Sequence, residues 1–392
     1  MNVQFLFYDT ETTGSKEDDR ILEIAYCLYK FDDSNNTPTL ARFTDFKVEM
    51  INPQHPINPV ASATHGYRQK DVDDKPTWSH SEANKNFQKV LANPNVYFLA
   101  HNAPFDREML KKEGINIPLE RSIDTLRLAK HLLADRADIE SFGLQPLRYL
   151  LNLDDHPDCI KTQEDFNVLR LQPHTALSDI IALIWLIQFL IVDGKIKSFT
   201  DILSNAHKPI FVDKVDFGKV FEKGSPLSAA LSGGYTDNYG RYKTGLGYFN
   251  WVLSSADLGP ESKANIAYHA MKLVQEGQIN ADNEDLEPFI SYAATFLPEF
   301  SDFIVQAFGK EPSVLRADRL DKINKDLVLA LESDKSSIQN SAREKLRELD
   351  FLNTYYNTYS MLQGDTPPWE GGTVAKDAVV APDTADEPKD AQ

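Results

Sequence analysis

The chain has 392 residues, 42% hydrophobic and 26% charged, with a formal net charge of −18. That length allows more than one domain, and the acidic balance argues against broad, sequence-independent binding of duplex nucleic acid, which needs Lys and Arg for phosphates. Two cysteines, Cys27 and Cys159, are too few for a disulfide framework. The most apolar run, Ile180 to Val192, is short for a bilayer span and contains Gln188, so it reads as a buried helix. No signal-peptide pattern opens the sequence, and the expectation is a cytoplasmic protein without a membrane partner.

In chain order, Phe5 to Tyr8 is an aromatic strand that runs into Asp9-Thr-Glu-Thr-Thr-Gly14. Strand side chains alternate faces, so Asp9 and Glu11 point the same way. Two acids on one face at the end of a core strand are costly unless a cation neutralises them. The fitting cation is a hard divalent ion with oxygen ligands, Mg²⁺ or Mn²⁺. The alternative is that both acids lie in a solvated loop after the strand.

Arg20 to Phe31 and Asp45 to Ile51 read as further strands, giving an antiparallel start to a mixed sheet. A Pro-rich loop leads to Ala63-Thr-His-Gly-Tyr67. Ser79 or Ser81 caps a helix that runs to about Leu91. Val96 to Ala100 is a short strand, and Pro104 opens a helix carrying Asp106. Ser122 to His131 passes from strand to helix, and Leu144 to Leu151 is a short amphipathic helix. His174 to Val192 is a long apolar helix with Asp179 near its start. Such alternation predicts an α/β sheet covered by helices. An acid in an all-round apolar helix needs a partner, and His174 flanks the same region. Asp9, Glu11, Asp106, Asp179 and His174 are together the inventory of a two-metal phosphodiester hydrolysis site.

Past Gly194 the pattern changes. Residues 195–260 form a Gly/Tyr/Lys-rich connector or small module, and residues 201–250 hold six basic against five acidic residues. Lys208, Lys214, Lys219, Lys223, Arg241 and Lys243, with Tyr235, Tyr239, Tyr242 and Tyr248, combine cations with aromatic rings, which is how single strands are gripped. From Glu261 the pattern is helical: Ala264 to Glu276, Phe289 to Phe308, and a charged segment from Arg316 to Tyr359 broken near Ser333. Residues 373–392 carry five acids, two lysines and no aromatic residue, and should be disordered.

Three segments carry a resemblance. DTETTG, HNAPFD (His101 to Asp106) and HTALSD (His174 to Asp179) are similar, in order and roughly in spacing, to the three motifs of the DEDDh, or DnaQ-like, 3′–5′ exonucleases. That family includes polymerase proofreading subunits, exonuclease I, exonuclease X, RNase T and oligoribonuclease. Thr64 to Pro76 resembles its HGI segment and Ile123 to Lys130 its DTLxLA segment. The resemblance covers residues 3–190.

It implies a ribonuclease H-like, mixed five-stranded sheet flanked by helices over residues 1–194. The other expected units are the connector (195–260), a helical domain (261–372) and the acidic tail (373–392). It also implies two Mg²⁺ ions, with Mn²⁺ as a substitute. Asp9 would bridge both, Glu11 and Asp179 would complete one, and Asp106 would hold the other. His174 would be the general base, with Thr12, Thr13 and His65 against the terminal nucleotide. The His-x4-Asp spacing marks the DEDDh branch, and Thr175 stands where the sister branch has Tyr. The chain departs from the family in a long link, Leu153 to Pro173, and in Ile180 where an Ala commonly follows the last Asp.

The implied activity is metal-dependent 3′–5′ hydrolysis of single-stranded DNA to 5′-mononucleotides. The alternatives are the same chemistry on RNA, or an idle nuclease-like binding module. The implied partners are single-stranded 3′ ends, DNA before RNA, with a replication or repair protein at the C-terminal half. A looser resemblance, Phe217-Gly-Lys219 to Leu227, is to a small FGKxKG module of exonuclease X-like proteins.

Overall fold

Residues 3–155, 173–215, 220–254 and 258–331 are described by the computed structural model, with residues 345, 346 and 349 beyond them. Cys159, Phe217 to Lys219, most of the long link before the third motif, the second part of the Arg316 to Tyr359 segment and the tail lie outside the described residues.

Alternation in the first strand sets the architecture. Strand β1 (Val3–Thr12) sends Val3, Phe5 and Phe7 to one face and Leu6 and Tyr8 to the other, and each set is buried in its own core. β1 runs through Asp9 and Glu11, so both acids belong to the strand rather than to a loop after it. It pairs antiparallel with β2 (Ile21–Asp32), in a register that sets Phe7 opposite Cys27, Asp9 opposite Ala25 and Glu11 opposite Glu23.

The outer edge of β2 is filled twice, by β3 (Thr39–Arg42) near one end and β4 (Lys47–Met50) near the other. On the other side of β1 lie β5 (Val96–Ala100) and then β6 (Ser122–Asp124), both parallel. The sheet is therefore mixed and holds six strands among the described residues, in five positions across its width. The additional strand is β3, whose four residues are mostly exposed and show no alternation to read.

Helices cover both faces. On the Leu6 face lie α3 (Glu82–Leu91), capped by the Ser81 hydroxyl, and α4 (Ala103–Lys112), preceded by α1 (Pro59–His65) and α2 (Gln69–Val72). On the Phe5 face lie α5 (Thr125–Leu132), α6 (Leu144–Leu150) and α7 (Ala176–Val192). α7 is apolar nearly all round because it is enclosed between β1, β2 and α6. It begins at Ala176 rather than His174, because the Thr175 side chain caps it. Helix α8 (Phe199–His207) also packs into this core: Phe199 lies 4.6 Å from the Tyr97 ring and 6.0 Å from that of Phe5.

A second core gathers the helical C-terminal region. It is built from α9 (Leu227–Ser232), α10 (Gly245–Leu253), α11 (Pro260–Gln275), α12 (Glu287–Phe296) and α13 (Ser301–Phe308), with α14 (Pro312–Leu331) against it. Pro298 divides the run expected from Phe289 to Phe308 into α12 and α13. A hairpin of β7 (Gly234–Thr236) and β8 (Tyr242–Thr244) stands beside α10. Arg127 on α5 makes two hydrogen bonds to Glu261 at the start of α11, at 2.5 and 2.8 Å, and so ties the two cores together. Among the described residues, no helix is long and apolar enough to cross a membrane.

Candidate metal centre

The face of β1 that carries Phe5 and Phe7 into the core carries Asp9 and Glu11 next. α7 packs against that face and brings Asp179 on its first turns. Asp9, Glu11 and Asp179 each offer a carboxylate oxygen within 4.8 Å of the others, and all three are partly buried. Burial first, and then the charges of Asp106, Asp179, Glu11 and Glu23, hold the Asp9 carboxyl well above the usual carboxylate range. Burial, then Asp179, Glu23 and Asp106, push Glu11 up to about 8. Asp179 rises to about 6, because its burial outweighs the His174 charge, the His174 backbone N–H, the Gln145 amide and the Arg148 charge. Such crowding of acids, only partly offset by His174 and Arg148, is the electrostatic demand of a cation site. A set of carboxylate oxygens alone fits a hard divalent ion.

Asp106 comes from the other face of the sheet. It lies in the first turn of α4, is 3% exposed, and accepts the backbone N–H of Thr10 at 3.0 Å and the Thr10 hydroxyl at 2.7 Å. Thr10 points away from Asp9, so Asp106 stands apart from the close group of three. Its charge still acts on Asp9 more than that of any other acid. Burial lifts Asp106 to about 7 against the two Thr10 hydrogen bonds.

His174 is exposed and stands just before the cap of α7, with φ at +61°. Few residues other than Gly take up that left-handed conformation, and His is among those that do so more often. It is close enough for its backbone N–H and its charge to act on Asp179.

The three residues expected against a nucleotide differ in what they do. The Thr12 hydroxyl donates to the Gly14 carbonyl at 2.7 Å. Thr13 is fully buried; its hydroxyl donates to Asp19 at 2.8 Å and accepts the Arg20 N–H at 3.0 Å. Its side chain therefore turns into the loop. Gly14 lies so close to Asp19 that a Cβ would stand 2.6 Å from the carboxylate, which is why the loop closes on a glycine. The Nδ1 of His65 accepts the Tyr67 N–H at 3.0 Å, which places the proton on Nε2, 3.3 Å from the Thr12 carbonyl that accepts it. His65 is buried, and burial pulls its pKa down.

Neighbouring residues have structural roles. Asp124 caps α5 and also accepts the N–H groups of Asn102 and Ala103. His101 bonds to Thr125 and to the Phe142 carbonyl, so it holds the turn before Asp106.

Four supporting residues were missed in the sequence. Gln145 donates to Asp179 at 2.6 Å, and Arg148, 2% exposed, is paired with Asp154 and lies within 3.4 Å of Gln145. Nothing in α6 marks these two residues in advance. Glu23 and Tyr67 bond to each other at 2.8 Å. The signal for Glu23 was present, as one acid inside the apolar run ILEIAYCL.

The RNase T family model, described as an exonuclease, matches residues 6–186. No curated protein matches the chain. Among solved structures the chain is similar to exonuclease X in complex with 5′-overhanging duplex DNA, at 25% identity over 48% of this chain and 93% of that one, with a TM-score of 0.34. It is also similar to the zinc-bound complex of E. coli exonuclease I with single-stranded DNA, at 17% identity, 49% and 41% coverage and a TM-score of 0.36. A third is cell-death related nuclease 4, at 15% identity, 49% and 64% coverage and a TM-score of 0.35. The chain thus spans less than half the length of the exonuclease I structure.

Proposed function

We propose, from the match of residues 6–186 to the RNase T exonuclease family model, that this chain removes nucleotides one at a time from the 3′ end of single-stranded DNA. The observation that carries the reading is the convergence of Asp9, Glu11 and Asp179 within 4.8 Å, beside an exposed histidine on the turn before Asp179. Asp9, Glu11 and Asp179 would hold one divalent ion, Mg²⁺ or Mn²⁺, and Asp9 with Asp106 a second. Ions bound there would supply charge to stabilise the attacking and leaving oxygens of the phosphodiester.

The chain's own residues do the rest. The exposed His174 ring takes the proton from the attacking water, a task usually worth about 10²–10⁴-fold in rate. Gln145 and Arg148 hold Asp179 in place for this chemistry. Thr13, Asp19 and His65 fix the end of β1 at Thr12, where the terminal nucleotide would lie.

The hairpin and α10 would hold the strand upstream. Tyr239, Tyr242 and Trp251 are 84%, 70% and 66% exposed. Arg241 lies over the Tyr239 ring, and Lys243 is exposed beside it. Exposed rings with adjacent cations suit base stacking along a single strand.

The test uses oligonucleotides labelled at either end, as DNA and as matched RNA, with Mg²⁺ or EDTA. Metal-dependent loss of the 3′ nucleotide first, faster on DNA, is the expected result. Release from the 5′ end, or cleavage in EDTA, would overturn the polarity or the metal assignment. Faster cleavage of RNA would reassign the substrate.

A further inference from the structure

Glu23 is a buried acid that the proposed mechanism leaves without a task. It faces Glu11 across the β1–β2 ladder and is 4% exposed. Placed there it adds negative charge beside Asp9 and Glu11, which both register it. A carboxylate in such a place needs donors, and it has two from distant parts of the chain. The Tyr67 hydroxyl donates to Oε1 at 2.8 Å, and the backbone N–H of Ala176 donates to Oε2 at 2.9 Å.

Each donor leads to a different part of the site. Ala176 is the first residue of α7, two past His174 and three before Asp179. Tyr67 stacks on His65 with ring centres 5.3 Å apart, and His65 in turn holds the Thr12 carbonyl. An unbroken series of contacts therefore runs from the end of β1, through His65, Tyr67 and Glu23, to the start of α7.

We propose that Glu23 is a positioning residue of the nuclease site, which fastens the start of α7 to the His65–Tyr67 segment and so sets where His174 stands relative to Asp9 and Glu11, Asp179 being held separately by Gln145. This rests on the reading under Proposed function. The part played by Glu23 is its two accepted hydrogen bonds, not its charge and not a bond to a metal ion.

Glu23→Leu keeps the approximate volume and removes both bonds. Glu23→Gln removes the charge but can keep both, with its carbonyl on the Ala176 N–H and its amide N–H donating to the Tyr67 oxygen. Glu23→Leu should lower kcat by about 10–100-fold, the scale of a misplacement near 1 Å. KM for a DNA oligonucleotide and the affinity for Mn²⁺ alone, measured by calorimetry, should stay within about threefold of wild type. Glu23→Gln should restore most of kcat. Amide hydrogen exchange of the peptide over residues 174–180 should quicken in Glu23→Leu and return to near wild type in Glu23→Gln.

A fully active Glu23→Leu protein, or unchanged exchange, overturns the proposal. So does a Glu23→Gln protein as impaired as Glu23→Leu with weakened Mn²⁺ binding, which would make the charge the operative feature. Should Glu23→Leu not fold, Tyr67→Phe takes its place: unchanged Mn²⁺ affinity with a partial loss of kcat supports the clamp, and a wild-type rate overturns it. A wild-type protein inactive on every nucleic acid would sink the exonuclease reading, while the exchange comparison would still decide the clamp.

Discussion

Asp106 grips Thr10 through one carboxylate oxygen, which takes both the backbone N–H at 3.0 Å and the hydroxyl at 2.7 Å. The fourth acid is thereby fixed to the strand that carries Asp9, but from the opposite side of the sheet. Thr10→Val removes the hydroxyl and keeps the shape and the backbone bond. The expected cost is about 1–3 kcal/mol of stability, since a buried charge loses a donor, together with a fall in nuclease rate. Chemical denaturation and a 3′-labelled oligonucleotide assay would check both, and unchanged values would show that Asp106 needs only the backbone bond.

Metal-free protein should weaken as the pH rises. Glu11 releases its proton at about 8 in the folded protein, against an ordinary value of 4.5. Asp106 and Asp179 are raised to about 7 and 6. Between those limits the folded protein keeps protons that the unfolded chain has released. Stability is therefore full below the ordinary values and is lost as pH rises through the raised ones. In EDTA the melting temperature should fall from pH 5 to pH 8, and Glu11→Gln should flatten the fall. Added Mn²⁺ should restore the melting temperature at pH 8. A melting temperature that climbs over this range in EDTA would refute the crowding of unneutralised acids.

Replacing His174 separates chemistry from folding. Asn tolerates the left-handed backbone found there, so His174→Asn should keep its melting temperature while the cleavage rate drops about 10²–10⁴-fold. By contrast Asp9→Asn should abolish cleavage and raise the stability of the metal-free protein, because it removes one of the mutually repelling acids. Calorimetry with single-turnover kinetics tests the pair, and a wild-type rate in His174→Asn would end its assignment as base.

The exposed rings of the hairpin and α10 make a prediction of a different kind. Tyr239→Ala and Trp251→Ala should leave the fold intact, since both side chains are largely exposed. Each should weaken binding of a long DNA oligonucleotide by about 1–3 kcal/mol if a base stacks on it. Very short oligonucleotides should not feel either change. Fluorescence anisotropy across a length series, with Asp9→Asn present to stop cleavage, gives the answer.

The sheet and the acids were legible because β1 opens on a continuous aromatic run that leads into two acids spaced two apart, and because three segments stand in a recognisable order. The helix starts were legible where Ser, Thr or Asp caps them, as at Ser81 and Asp124. β3 was not, because a short edge strand facing solvent has no pattern to give. The inward turn of Thr13 was not either, since it depends on Asp19 folding back against Gly14. Gln145 and Arg148 reach the site only through the packing of α6 on α7, which local sequence does not encode.

The seat of Phe199 bears on how the protein can be cut apart. Phe199 fills a gap between Tyr97, Phe5 and Phe31, and its N–H is held by Asp33. A fragment ending at residue 194 would leave that gap open to water beneath the strand that carries the acids. A fragment ending after His207 would carry its own plug. The shorter piece should therefore be poorly soluble and sluggish, and the longer one the smallest useful reagent for crystallisation and screening.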